Sequence, residues 1–308
     1  MSEHTVEVRA PHTASTPADT IVVGVADRPA SSERALWEAA LWAARQHLDV
    51  TLLTAAGPGA APGSHCPTPD RSRRDALHLI GAAAHRLART ADVDQHIHTT
   101  VVPGAAGAAL ITASAAASLL VLQCRDVGAV ERLVRGSTTA TVVGGAACPV
   151  LVVHDDDQTG LRRGLLVIID ATASIDATLS AAFPEAMRRS RGITVLVLGP
   201  SSRTDDTERW SSAPSEERLN TWQRRFPRVP VTQMMINRFD SAALSRHAAD
   251  CELLVVARRQ SSGHGRSSLG RVTRRLLEAA RCPVLVVPPP PCPLPNPGRP
   301  GPAVELTT

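Results

Sequence analysis

An internal repeat constrains the fold of this chain more than any other feature. The string Cys-Pro-Val-Leu-Val-Val occurs at residues 148–153 and again at residues 282–287. Upstream, the apolar run at residues 21–26 has its counterpart at residues 165–170. The chain has 308 residues, enough for two domains of about 150 residues each. The repeat therefore predicts two copies of one domain in tandem.

Each copy alternates short apolar runs with longer segments of helical periodicity. Apolar runs without polar alternation are typical of strands buried on both faces of a parallel sheet. The alternation predicts two open parallel-sheet α/β sandwiches in tandem. The predicted strands are residues 21–25, 50–54, 97–102, 119–123 and 150–153 in the first copy, and 165–169, 193–198, 231–236, 253–256 and 284–287 in the second.

Helix signals fill the intervals between these strands. In the first copy, helical patterns occupy residues 71–90, 105–118 and 137–147, and Ser31–Glu33 can cap another helix. Pro184 lies inside the first helical pattern of the second copy and is expected to kink or shorten it. Composition sets the boundaries: a disordered segment 1–20, domains 21–154 and 165–287, a polar linker 155–164 and a disordered Pro-rich tail 288–308.

The absence of lysine excludes several chemistries. Every side-chain cation apart from protonated His is Arg, so neither a P-loop lysine nor a Schiff base is available. The net charge of +4 is too small to indicate nucleic-acid binding. No apolar run approaches the ~18 residues of a membrane span, and the six cysteines form no CxxC pair. We predict a cytoplasmic protein without a membrane segment or metal site.

Three ordered motifs resemble those of the universal stress protein family. In that family the first strand ends in Val-Gly-x-Asp-Gly-Ser-x-x-Ser, which residues 23–31 follow closely. A Gly-x2-Gly-x9-Gly-[Ser/Thr] motif, which wraps the phosphates in ATP-binding members, follows the fourth strand, and the repeated Cys-Pro-Val motif ends the domain. The resemblance covers nearly all of residues 21–287. It implies a flavodoxin-like or adenine nucleotide alpha hydrolase-like fold with strand order 2-1-3-4-5 or a related order.

The first copy departs from the family at its nucleotide site. Gln123 and Asp126 stand where the first two glycines of the family motif fall, and Ala26 replaces the family's adenosine-side Asp. Gly136 and Ser137 keep the last element of the motif. Side chains at glycine positions obstruct the approach of the backbone to a ligand, and a carboxylate repels phosphate. We therefore interpret this copy as a structural partner, with Gly136 and Ser137 as its only candidate site residues.

The second copy keeps more of the site. Asp170 matches the family Asp and Gly270 the third glycine, whereas Ala257 replaces the first glycine and Arg271 the Ser/Thr. The positive end of a helix dipole that follows such a glycine attracts phosphate. Residues 261–269 are rich in Gly and Ser, so an Arg-based loop could replace a glycine nest. The arginines around this loop are Arg258, Arg259, Arg266, Arg271, Arg274 and Arg275.

The resemblance implies a stress-response module, not an enzyme, that binds an adenine nucleotide such as ATP in its second copy and regulates a protein partner. Two alternatives stay open: a scaffold of the same fold without nucleotide binding, and a very slow ATP hydrolase. The resemblance also implies that the two copies pair through their last strands, and a homodimer of the chain stays open. Trp37 and Trp42 cannot both face the core, so one is expected to mark a contact between domains or protomers.

Overall fold

The computed structural model describes residues 6–8, 20–26, 32–57, 69–90, 96–124, 138–154, 164–170, 174–198, 213–236, 246–248, 251–259 and 270–290. The strands are β1 Val6–Val8, β2 Thr20–Gly24, β3 Asp49–Ala56, β4 Ile97–Pro103, β5 Ala117–Cys124, β6 Val150–His154, β7 Leu165–Asp170, β8 Ile193–Leu198, β9 Val231–Ile236, β10 Leu253–Ala257 and β11 Val284–Val287. The helices are α1 Glu33–Gln46, α2 Pro69–Thr90, α3 Ala106–Ala113, α4 Thr138–Gly145, α5 Ile175–Arg189, α6 Ala213–Arg225 and α7 Arg271–Ala279.

All strands form one sheet of 11, in the order β1-β4-β3-β2-β5-β6-β11-β10-β7-β8-β9. Within each copy neighbouring strands are parallel, which confirms the predicted α/β fold class. The order in each copy is 3-2-1-4-5, the related order rather than 2-1-3-4-5. The second and third strands are added on one side of the first strand, and the fourth and fifth strands on the other side. The switch in strand order therefore lies between the first and fourth strands.

The two copies join through their last strands, as predicted. Strands β6 and β11 pair antiparallel, with Val152 opposite Val284 and Val150 opposite Val286. An antiparallel contact between equivalent strands has the symmetry of a two-fold interface, in which each partner contributes the same surface. The tandem chain therefore contains within itself the kind of contact that would otherwise form between two separate domains.

The N-terminal segment is not disordered throughout, contrary to prediction. Val6 and Val8 belong to β1, which pairs in parallel with β4 at Ile97 and Thr99. Without β1, the edge of β4 would present unpaired backbone groups, and even a short strand can cover them. Thr20, assigned to the same segment, is the first residue of β2. The predicted linker and tail lie outside the described residues except at 164 and 288–290.

Helices cover both faces of the sheet and bury one apolar cluster on each. One cluster joins α1 and α2 of the first copy to α5 and α6 of the second, through side chains such as Leu151 and Leu285. The opposite cluster joins α3 and α4 to α7, through side chains such as Val152 and Val284. Since both clusters continue across the junction of β6 and β11, the two copies share their cores.

Two helices differ from their predicted form. Helix α5 continues through Pro184 for 15 residues in all, so of the two predicted effects of this proline, a kink or a shorter helix, the shorter helix is wrong. The helix begins nine residues before Pro184, and its Ser174 N-cap and buried face at Phe183 and Ala186 stabilise it against the loss of one backbone hydrogen bond. Helix α3 ends at Ala113 rather than at the predicted residue 118, because β5 already begins at Ala117.

Candidate functional site

The candidate site lies beyond the carboxyl ends of the first and fourth strands of each copy. These strands are neighbours in the sheet, β2 beside β5 and β7 beside β10. In open α/β sheets, ligands bind in the crevice that the reversal of strand order creates at this point. The chain therefore has two equivalent clefts, and their side chains decide what each can bind.

In the first copy, a glutamine side chain crosses this cleft. Gln123 Oε1 accepts a hydrogen bond of 3.1 Å from the backbone N–H of Ala35, in the first turn of α1. Ser32 is the N-cap residue but makes no side-chain cap, and its Oγ accepts from the N–H of Ala26 at 3.0 Å instead. Ser32 therefore does not cap this helix as predicted, because the side-chain oxygen that accepts from Ala35 belongs to Gln123 of β5. Ser31 lies outside the described residues. An amide oxygen here satisfies the N–H group that a bound anion would otherwise use.

The second copy has no glutamine at the equivalent position. Ala257 ends β10 at the position equivalent to Gln123, and only its methyl group stands there. Asp170 ends the neighbouring strand β7 and is half-buried. Helix α5 is capped by its own Ser174, whose Oγ accepts from Ala177 N at 3.3 Å. The structure therefore brings the candidates Asp170 and Ala257 to the ends of adjacent strands.

The start of helix α7 supplies the other two candidates. Gly270 is the N-cap residue, without a side-chain cap, and Arg271 is the first helical residue. The N–H groups of the first turn and the positive dipole end favour an anion. A Cβ at Gly270 would lie 3.5 Å from the Arg259 side chain, an ordinary contact, so the backbone does not require glycine here. Gly136, Ser137 and the loop at residues 260–269 lie outside the described residues.

Three of the six arginines assigned to the loop bind other groups. Arg258 Nη1 donates to the carbonyl oxygens of Val143 at 3.0 Å and Ala146 at 2.9 Å, both in the first copy. Arg274 and Arg275 form ion pairs with Glu278 within α7, at 3.7 and 3.1 Å. Arg274 and Arg275, which are 41% and 57% exposed, thus fit a solvated helix face rather than a phosphate-binding cluster, and Arg258 is engaged by carbonyl oxygens.

Arg258 takes part in a reciprocal contact between the copies. It binds the C-terminal turn of α4, while His154 Nε2 of the first copy donates to the carbonyl oxygen of Leu277, in the last turn of α7, at 3.0 Å. Val143 and Leu277 occupy equivalent positions, each five residues before a Cys-Pro-Val motif. Cationic or donor side chains stabilise the negative end of a helix. A side chain of each copy thus caps the C-terminal end of the equivalent helix in the other copy, α4 or α7.

Removal of the Arg258 cap tests its contribution. Arg258→Ala is expected to lower the free energy of unfolding by about 1–3 kcal/mol, since two buried carbonyls lose a charged donor. Burial lowers the pKa of Arg258, which shows that desolvation of the guanidinium offsets part of this gain. Arg259→Ala, at the exposed neighbouring position, is the matched control, with an expected change within about 0.5 kcal/mol. Equal losses from both variants in urea unfolding would contradict this role.

A buried ion network lies where α5 meets the first copy, and no sequence pattern indicated it. Glu185, with 1% of its side chain exposed, accepts from Arg189 Nε at 2.5 Å. Arg189, with 5% exposed, also donates to Glu252 Oε1 at 2.8 Å. Its guanidinium carbon lies 5.4 Å from the ring centre of Trp42 on α1. The prediction that one of the two tryptophans marks a domain contact is thereby confirmed, with Trp42 as that residue.

The described cysteines are buried and unbonded. Cys124, Cys148, Cys251 and Cys282 are all free thiols. Burial raises the pKa of Cys148 to about 12, so this thiol stays protonated and unreactive at neutral pH. Cys251 Sγ lies 3.2 Å from Cys282 Sγ, a contact that the first copy lacks because Ala117 occupies the position equivalent to Cys251.

Metal binding and membrane insertion find no support among the described residues. No group of three or more His, Cys, Asp or Glu side chains in the described ranges is arranged to hold a metal ion. None of the described helices combines the length and apolar character needed to cross a bilayer.

The repeated fold defines a class of protein: tandem open α/β domains, each with a crevice at the switch in strand order. Sequence comparison identifies the class. The model of the universal stress protein family matches residues 17–154 and again residues 163–288. Because these matches span most of the chain, the protein belongs to the universal stress protein family.

Relatives with the same tandem organisation support this assignment. The chain is 28% identical over 290 residues to universal stress protein Rv2623 of Mycobacterium tuberculosis, covering 86% of this chain and 95% of that protein. It is 30% identical over 294 residues to a universal stress protein of Mycolicibacterium smegmatis, covering 87% and 97%. A solved universal stress protein from Archaeoglobus fulgidus shares the fold at 14% identity, with a TM-score of 0.66 and coverage of 89% and 97%.

Proposed function

We propose that this tandem universal stress protein binds one adenine nucleotide per chain, in the cleft of the second copy. The difference between Gln123 and Ala257 carries the proposal. Gln123 satisfies an N–H group at the start of α1 in the first cleft, whereas Ala257 has no side-chain oxygen to do so at the equivalent position in the second. The first copy then serves as a structural partner that completes the sheet and caps α7.

The remaining candidates have complementary roles in the second cleft. Asp170 offers a carboxylate at the strand end, which accepts hydrogen bonds from the hydroxyl groups of a ribose. The uncapped N-terminus at Gly270 and Arg271 favours the phosphates. We propose that the nucleotide changes the affinity for a protein partner in the cytoplasm and that the chain does not turn the nucleotide over, since the sequence contains neither a GxSxG nor an HExxH motif.

Titration with ATP, ADP and cyclic AMP tests the proposal. Calorimetry of the wild type is expected to give about one site per chain for at least one nucleotide. Asp170→Asn should weaken binding roughly ten- to a hundredfold, because hydrogen bonds to a charged group contribute about 1.5–3 kcal/mol. Ala257→Gln should weaken it at least as much, because it places in the second cleft the side chain that closes the first.

Gln123→Ala is the matched control. This variant removes the side chain that crosses the first cleft, but it leaves Ala26 where the second copy has Asp170. The stoichiometry should therefore stay at one nucleotide per chain. Unchanged affinity in both Asp170→Asn and Ala257→Gln would contradict the assignment of the site. Phosphate release at or above roughly one turnover per minute, which is slow for an enzyme, would instead support the hydrolase alternative.

The scaffold alternative has its own structural support. Met234 and Met235 on the edge strand β9 expose 40% and 48% of their surface, and flexible methionine side chains suit adaptable protein contacts. If no nucleotide binds the wild type, the second copy is a scaffold, and the expected ligand is a protein that contacts this edge.

A further inference from the structure

Three buried N–H groups at the boundary between the copies lack a hydrogen-bond acceptor. They are Trp42 Nε1 and Arg45 Nη1 on α1, and Arg189 Nη2 on α5. Buried donors in folded proteins are nearly always paired, and each unpaired one carries a desolvation cost. Three orphan donors, two of them on guanidinium groups, indicate that an acceptor from outside the chain belongs among them.

The three donors lie in one region of the interface. Trp42 and Arg45 are three residues apart on α1, so they share one face of that helix. Arg189 belongs to the other copy, and its guanidinium carbon lies 5.4 Å from the ring centre of Trp42. Trp42 itself is 5% exposed. The donors therefore lie in one region, where the two copies meet on one face of the sheet.

The local charge is positive after every ion pair is counted. Glu185 accepts from Arg188 at 3.1 Å and from Arg189 at 2.5 Å. Glu252 accepts from Arg189 at 2.8 Å and from Arg191 at 2.9 Å. Two carboxylates thus face three arginines.

Arg45 adds a fourth cation, and its Nη1 has no hydrogen-bond partner among the described residues. Glu38, the other acid on this face of α1, pairs with Arg34 at 3.3 Å. Burial is the main cause that lowers the pKa of Arg45, and the neighbouring Arg189 lowers it further. The folded protein therefore destabilises the charged form of the Arg45 guanidinium. A bound anion would instead stabilise the charged form of Arg45.

We propose that Arg45, Arg189 and Trp42 form a binding site for a small oxyanion of the phosphate or sulfate class between the two copies. Guanidinium groups bind tetrahedral oxyanions through several N–H donors at once, and the indole N–H adds a neutral donor. The ligand would contact α1 of one copy and α5 of the other, so it would hold the copies together. The site is separate in position from the proposed nucleotide cleft, which lies at the carboxyl ends of the strands.

Thermal unfolding in phosphate tests the site. Inorganic phosphate or sulfate, added to the full chain at constant ionic strength against chloride, is expected to raise the Tm saturably by several degrees, since a ligand that binds only the folded state stabilises it. Arg45→Ala should abolish this rise. In phosphate-free chloride buffer the same variant should be at least as stable as the wild type, because it removes an unpaired, half-buried charge.

Arg89→Ala is the matched control, since it removes one exposed arginine from α2 of the same copy. It should keep the full phosphate-dependent rise, which separates a specific site from general charge screening. The proposal is overturned if phosphate acts no differently from chloride, or if Arg45→Ala keeps the rise.

A nucleotide phosphate is the other source of the same chemistry. Ala257→Gln should lose ATP binding and keep the response to inorganic phosphate, whereas Arg45→Ala should keep ATP binding and lose that response. If Arg45→Ala instead loses both responses, the nucleotide itself supplies the phosphate at this interface, and a separate oxyanion site is rejected.

Discussion

Glu185→Ala is expected to lower the free energy of unfolding by about 3–5 kcal/mol, the usual loss when one partner of a buried ion pair is removed. The glutamate side chain is 1% exposed and the arginine that it binds, Arg189, is 5% exposed. Without Glu185, Arg189 keeps only Glu252, which is itself 24% exposed. In the variant, the buried Arg189 guanidinium at the boundary between the copies thus has one carboxylate instead of two to balance its charge.

Two further variants separate this cause from a general effect of losing a glutamate. Glu217→Ala, on the exposed face of α6, should change the free energy of unfolding by no more than about 0.5 kcal/mol. Glu185→Gln keeps an acceptor oxygen but not the charge, so its loss should lie between the other two. Chemical denaturation of the three variants checks the ranking. If Glu185→Ala loses no more than Glu217→Ala, the network contributes nothing to stability.

The sequence predicted the strands well because buried parallel strands have a distinctive composition. Each predicted strand is present, and those at residues 193–198, 231–236 and 284–287 have the predicted ends. Runs of Val, Leu and Ile between turn residues admit few other conformations in a soluble α/β domain. The repeated Cys-Pro-Val motif likewise located the equivalent strands β6 and β11, whose pairing joins the copies.

Strand order and the N-terminal strand were harder to predict. Periodicity along the chain does not tell on which side of the first strand the second is added, so the order 3-2-1-4-5 had to come from the structure. β1 has only three residues, too few to show an alternation. Its pairing depends on an open edge at β4, which no local pattern reveals.

The only site residues that could be predicted from the sequence are those whose place follows from the ends of the predicted strands. Asp170 and Ala257 lie at strand ends that the repeat already aligned. The role of Gln123, in contrast, depends on a contact with Ala35, 88 residues earlier in the chain. Arg45 and Arg189 meet only because the two copies pack together. Contacts of this kind leave no signature in spacing, since either arginine alone has the pattern of a solvated residue on a helix face.

Leu151→Ala is expected to lower the free energy of unfolding by about 2–5 kcal/mol, the range for truncating a fully buried leucine. Leu151 is 0% exposed and lies directly opposite Leu285 in the antiparallel pair that joins the copies. Both side chains belong to the cluster that runs through both copies. The cavity would therefore weaken the two copies together, and calorimetry should show a single transition that shifts as a whole.

The double variant Leu151→Ala/Leu285→Ala measures how far the copies depend on each other. Side chains in direct contact give coupling energies of about 0.5–3 kcal/mol in such a cycle, whereas independent domains would give additive losses. Leu77→Ala, at a position 41% exposed on α2, should change stability by at most about 0.5 kcal/mol. Two separate transitions, of which Leu151→Ala moves only one, would mean that the copies fold independently. A single shifted transition would mean that ligand binding at either copy stabilises the whole chain, because neither copy can then unfold without the other.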